Sequence, residues 1–199
     1  MGQAGTAAAA VRYLRGVPQP PRAHLRAVRD DERAERPPVD QGEFRRVLGS
    51  FATGVTVVTA PAVTEGEAPA GFACQSFASL SLDPPLVVFM VGRTSATWPR
   101  IARAGVFCVN VLAAHQGELC RAFAVSGADK FAGVAYDAAP VSGSPRLAGA
   151  LAWVDCAVHA VHPGGDHLIV VGRVTALGAP GPDGPPLLFH RGTFRRPPP

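Results

Sequence analysis

"GALAWVDCAVHAVHPGGDHLIVVGRVTALG", residues 149–178, sets two long alternating runs on either side of Pro163-Gly164-Gly165. Alternation of this length marks half-buried strands, and a Gly-rich break between two such runs predicts an antiparallel hairpin. On its N-terminal side, "VFCVNVL" (106–112) and "LVVFMVG" (86–92) are apolar runs short enough to be buried strands. Between them "TSATWPRIARAG" (94–105) opens on hydroxyl residues, carries Pro99 in an early turn and stops at Gly105. That pattern predicts a short helix.

Further out, "GVTVVTAPAV" (54–63) alternates and is rich in β-branched residues, and "TEGEAPAG" turns it into "GFACQSFASLSL" (71–82) as a second hairpin. "QGEFRRVLGSFATG" (41–54) places Phe44, Val47, Leu48 and Phe51 at helical spacing. "AAHQGELCRAFAVSG" (113–127) predicts another helix, with Leu119, Ala122 and Phe123 on one face. Residues 128–147 read as an irregular connection, and "PPLLFHRGTF" (185–194) as one closing strand. Six or seven strands, two or three short helices and no βαβ rhythm predict a mainly β protein with short helices. The architecture expected is an antiparallel barrel or sandwich with helices attached.

Composition narrows the function classes. Residues 1–40 carry seven arginines and five acids in an Ala- and Pro-rich stretch without apolar period, which predicts a disordered or low-complexity tail. The domain is expected at 41–195, with a second tail at 196–199. Outside residues 1–40 the balance is eleven arginines and one lysine against ten acids, with no basic block, so no nucleic-acid footprint is present. No stretch reaches the ~20 apolar residues of a membrane helix. The four cysteines lie in or beside apolar runs without a C-x-x-C pair, as expected of reduced thiols in the cytoplasm.

Motifs for a phosphate loop or a catalytic nucleophile are missing. Cys156, His159, His162 and His167 are close in sequence, but residues three apart on a strand face opposite ways, so no metal site is expected without a bulge. What remains is a polar row. Phe72, Cys74, Ser76 and Ala78 would share one strand face and Ala73, Gln75, Phe77 and Ser79 the other, small enough for a flat ligand to reach the backbone. Solvated serines on a surface strand would look the same. The helix start at "RTSATWP" offers free N–H groups with Ser95, Thr97 and Arg93 to an anion, unless the hydroxyls merely cap it. Lys130 would add a counter-charge or simply be solvated. His167 opens a strand after "PGGD" and would face a substrate or serve structure.

Eight stretches in order resemble the short-chain flavin reductase family, the reductase halves of two-component flavin-dependent monooxygenases. They are "FRRVLGSFATGVTVVT", "GFACQSFASLSLDPPLVVF", "SATWPRIARAGVFCVNVL", "LCRAFA", "DKFAG", "GALAWVDC", "GGDHLIVVGRV" and "PLLFHRG". The resemblance spans about Phe44 to Phe194 and has no counterpart for the forty-residue forepart. It implies an FMN-binding type of split β-barrel that forms a homodimer and transfers hydride from NADH or NADPH to FMN or FAD. It also implies a partner monooxygenase that receives the reduced flavin. By the same resemblance, Ala70, Gly71, Phe72, Ala73, Cys74, Gln75 and Ser76 line the isoalloxazine edge. Arg93, Ser95, Ala96 and Thr97 hold the flavin phosphate, and Ala122, Phe123 and Lys130 complete the pocket. His167 stands by the nicotinamide as an orienting group, with His190, Arg191 and Gly192 bordering the same place. The rival readings are a non-catalytic flavin-binding or partner-binding module and a barrel oxidase that keeps its flavin.

Overall fold

Twelve strand segments and three helices follow one another in the computed structural model, which describes residues 39–127, 129–179 and 184–196. The tails expected at 1–40 and 196–199 lie outside the described residues, apart from 39–40 and 196. In chain order the elements are α1 (Gln41–Leu48), β1 (Thr53–Gly54), β2 (Thr56–Ala60), β3 (Ala70–Cys74), β4 (Ala78–Leu82) and β5 (Pro85–Gly92). Then come α2 (Trp98–Ala104), β6 (Val106–Val111), α3 (Gly117–Ala124), β7 (Tyr136–Ala138) and β8 (Pro145–Leu147). The chain closes with β9 (Ala152–Gly164), β10 (His167–Gly178), β11 (Leu188–His190) and β12 (Thr193–Arg195).

The expected long hairpin is β9–β10, the spine of a seven-stranded sheet in the order β3-β2-β6-β9-β10-β5-β4. Every pairing in it is antiparallel. Gly164 pairs with His167, so the turn proper is Gly165-Asp166, with a positive φ of 71° at Gly165. A two-residue turn with Gly first suits the twist of the strands it joins. The sheet's outer strands, β3 and β4, are consecutive in the chain and separated only by residues 75–77. Its two ends therefore have to approach each other, and the sheet curls. At the join the Ser76 hydroxyl donates to the Met90 carbonyl and accepts the Met90 N–H, both at 2.9 Å. One side chain thus supplies a rung that the backbone ladder lacks.

Strand β2 shows why the sequence there is so apolar. Val55 and Val57, on one side, join a cluster with Leu112, Cys120, Phe123 and Leu187. Val58 and Ala60, on the other, join a cluster with Phe89, Ile101, Phe107 and Val170. Both faces of the strand are covered, so all five of its residues are buried. Its two threonines satisfy their hydroxyls on the Cys74, Cys108 and Pro145 carbonyls.

Several expectations need correction. The run 71–82 is not one strand. It changes partner between β3, paired with β2, and β4, paired with β5. The connection 128–147 contains the short hairpin β7–β8, held by a bidentate Arg146–Asp137 pair at 2.7 Å. The closing strand is itself a hairpin, β11–β12, and β11 pairs with β1. On α3 the buried residues are Cys120 and Phe123, whereas Ala122 faces solvent. The apolar face of α1 exists but is bare, with Phe44 55% and Leu48 54% exposed, and Phe51 just beyond the helix is 77% exposed.

Candidate active site

Where the two apolar clusters reach the surface between α3, β3 and β5, they leave an open cleft of about 660 Å³. One wall is the end of β3 and the following bend, Phe72 to Ser76, with Met90 to Gly92 beside it. The opposite side is the approach to α2, Thr94 to Thr97, and the end of α3 with its loop, Phe123, Ala124, Ser126 and Gly127. Lys130 and His167 complete the lining.

The helix start is open toward this space. The Ser95 hydroxyl accepts the Trp98 N–H at 3.2 Å, while Thr97 makes no side-chain cap. Among the described residues the N–H groups of Ala96 and Thr97 take no partner. Gly105, at φ 66°, ends α2 as expected. The helix is fixed to the β2–β3 loop by Arg100, whose Nε donates to Glu67 at 2.8 Å and which also bonds the Ala68 carbonyl.

Lys130 is the cation inside the cleft. Its ammonium donates to the Gly71 and Phe123 carbonyls, each at 3.1 Å, tying β3 to α3. An ammonium has three protons, so one remains for a ligand. Burial, and secondarily the Arg100 charge, draws its pKa below the usual lysine range. A second cavity of about 350 Å³, lined by Arg100, Asp129 and Phe131, shares Ala96, Thr97, Gly127 and Lys130 with the cleft.

The other expected residues fall out as follows. Ala70 is buried in the core, and Gly71 lines only the second cavity. Arg93 turns away from the cleft; its Nε donates to the Gly165 carbonyl at 2.9 Å. Ala122 points outward. His190 ends β11 and Arg191-Gly192 form the β11–β12 turn, where the Arg191 N–H bonds the Gly49 carbonyl near α1, and none of the three lines the cleft. Ser76 does line it, but its single proton goes to Met90, which leaves it only an acceptor. Sequence reasoning missed Met90, Val91, Gly92, Thr94, Ala124, Ser126 and Gly127. Gly92 enters through the sheet register, where it stands opposite His167.

Redox chemistry by the thiols is disfavoured. All four cysteines are free and buried, and burial pushes Cys108 and Cys156 up to about 12 and Cys120 to about 11. A bulge does occur at His159 in β9, yet no three metal-ligating side chains gather among the described residues. What the cleft itself supplies is placement. Small side chains and peptide groups along one wall, a cation, and free N–H groups at the helix start can together accommodate a flat ring with an anionic tail.

Known proteins place the chain within that class. The family model of the flavin reductase like domain matches residues 48–198, and the chain belongs to this family. It is 49% identical over 156 residues to the reductase subunit HsaB of a flavin-dependent monooxygenase from Rhodococcus jostii, covering 78% of this chain and 77% of that protein. The solved nitrilotriacetate monooxygenase component B of Mycobacterium thermoresistibile is 49% identical, with a TM-score of 0.74 over 78% of this chain and 86% of that one. The Streptomyces globisporus NADH:FAD oxidoreductase SgcE6, solved with NAD and FAD fragments, is 41% identical with a TM-score of 0.74 over 80% and 94%.

Proposed function

We propose that this chain is an NADH-dependent flavin reductase that transfers hydride from NADH to FMN or FAD and passes the reduced flavin to a separate monooxygenase. The observation that carries the reading is the convergence of Phe72–Ser76, Ser95–Thr97, Phe123, Lys130 and His167 on one cleft in a chain of this family. A bound flavin supplies the electron-accepting ring, and NADH the hydride; such cofactors carry the chemistry while the protein positions them. The residues present fit that division. The wall from Phe72 to Ser76 gives a flat ring peptide groups and small side chains. Lys130 and the N–H groups of Ala96 and Thr97 give a phosphate a charge and donors. Cys74, kept neutral by burial, adds no competing nucleophile.

Turnover tests this directly. Purified protein with NADH and FMN or FAD is expected to bleach the flavin without oxygen and to consume NADH over many cycles in air. Saturable flavin binding with no NADH consumption would instead make the chain a non-catalytic binding module.

The bare face of α1 bears on assembly. Phe44, Val47, Leu48 and Phe51 expose more apolar surface than a short amphipathic helix keeps in water without a partner. A second copy of the chain is the occupant proposed here, giving a homodimer, and a sedimentation coefficient of a monomer at micromolar concentration would exclude it. No described helix is long and apolar enough to cross a membrane. Free buried thiols and a nicotinamide reductant suit work in the cytoplasm.

A further inference from the structure

The second cavity, about 350 Å³, opens off the cleft at the helix start, since Ala96, Thr97, Gly127 and Lys130 line both. Its volume lies within the range of small-molecule sites. A flavin mononucleotide ends at the phosphate, so it would leave this space to solvent. What sets the cavity apart from the cleft is Arg100 on α2, which lines only the former. Its Nε donates to Glu67 Oε1 at 2.8 Å and its Nη2 to the Ala68 carbonyl. Two ties fix the plane of the guanidinium. Of its five N–H groups, the two on Nη1 take no partner among the described residues. Glu67 does not cancel the charge alone, because Arg103 approaches the same carboxylate oxygen at 3.8 Å. Lys130 feels the Arg100 charge, which joins burial in drawing its pKa down. Two cations therefore share one cavity. The carboxylate in its lining is Asp129, exposed, whose Oδ1 accepts the Phe131 N–H at 3.2 Å. Pro69 and Phe131 add apolar surface.

We infer that this cavity receives the AMP half of FAD, with Arg100 holding its second phosphate, so that the chain prefers FAD to FMN. The inference rests on the flavin reading of the cleft. The first phosphate meets Lys130 and the helix start. A second, one bridging oxygen further on, needs a cation of its own, and a guanidinium already fixed loses little freedom in meeting it. Beyond the pyrophosphate, ribose hydroxyls can donate to the Asp129 carboxylate, an acceptor that would repel a further phosphate. NADH carries the same ADP portion, so the experiment has to separate the two nucleotides.

Fluorescence titration of the full-length protein with FAD and with FMN, in the absence of NADH, reads the preference in wild type, Arg100→Met and Glu67→Gln. Wild type is expected to bind FAD about tenfold or more tighter than FMN. Arg100→Met should weaken FAD about tenfold or more, the range of a hydrogen bond to a charged group, and leave FMN within about twofold. Glu67→Gln removes the ion pair but keeps the guanidinium, so the preference for FAD should survive it. If FAD and FMN weaken together in Arg100→Met, or if Glu67→Gln loses the preference equally, Arg100 acts only by tying α2 to the β2–β3 loop and the inference is overturned. The KM for NADH with FMN as acceptor is expected to stay unchanged in Arg100→Met. A raised KM with the FAD preference intact would assign the cavity to the reductant and overturn the inference too. Wild type that binds FMN, and FAD no better, sinks the AMP subsite while the flavin reading stands. Wild type that binds neither sinks the flavin reading itself.

Discussion

Phe89→Ala is expected to cost about 3–5 kcal/mol of folding stability, the usual range for emptying a fully buried aromatic site. Phe89 is completely buried on β5, inside the cluster that fills the curled sheet. Its ring meets Phe107 edge-on at 5.2 Å, Trp98 edge-on at 6.3 Å and Phe72 at a tilt at 5.9 Å. Those partners lie on three other elements, so the cavity cannot close by moving one of them. Trp98 opens α2 and Phe72 lines the cleft, so the loss should also weaken flavin binding in the protein that remains folded. Urea unfolding is the measurement, read from the midpoint at unchanged slope. Leu80→Ala serves as the control: Leu80 is 53% exposed, and its loss should stay within about 0.5 kcal/mol. Equal costs for the two substitutions would contradict the packing described.

Lys130→Met should raise the FMN dissociation constant about ten- to a hundredfold, as expected when a hydrogen bond to a charged group is lost. Methionine keeps an unbranched stem of similar reach, so packing changes little and the charge is what disappears. Two effects are then combined. The Gly71 and Phe123 carbonyls lose their shared donor, and the cleft loses its cation. Riboflavin, which lacks the phosphate, separates them. If the charge acts on the phosphate, FMN binding weakens far more than riboflavin binding, and its dependence on salt becomes shallower. If the tether between β3 and α3 is what matters, both ligands suffer alike. Fluorescence titration reads both, and an FMN affinity within twofold of wild type would remove Lys130 from the site.

How far the sequence anticipates this structure depends on whether a feature is local. The β9–β10 hairpin and helix α2 carry their own signals: alternation broken at glycines, and a proline early with a glycine late. The break between β3 and β4 has none. The two-residue period runs straight through Cys74 to Ala78 while the strand changes partner, because periodicity records faces and not neighbours. Strands of three residues, such as β7 and β12, are too short to show a period at all. Arg93 was expected to meet an anion because of its charge and place, but its Nε is engaged by a carbonyl 72 positions away. The helical pattern of α1 announces an apolar face correctly and says nothing about what covers it. Of the residues lining the cleft, Phe72 to Ser76 and Ser95 to Thr97 are each carried by one continuous stretch. Those contributed from elsewhere, Gly92 at the end of β5 and Ser126–Gly127 after α3, become visible only through the pairing of β5 with β10 and the course of the chain after α3.

The clasp formed by Ser76 and Met90 limits how evolution can retune the pocket. With that hydroxyl spent on joining the end of β3 to β5, a ring placed along Ala73 and Cys74 would meet largely amides and carbonyls of the main chain. Point mutations can widen or narrow such a wall, but they leave its polar lettering unchanged. Selectivity among isoalloxazine nucleotides would then drift through girth and through the charged tail, and hardly at all through recognition of the ring itself.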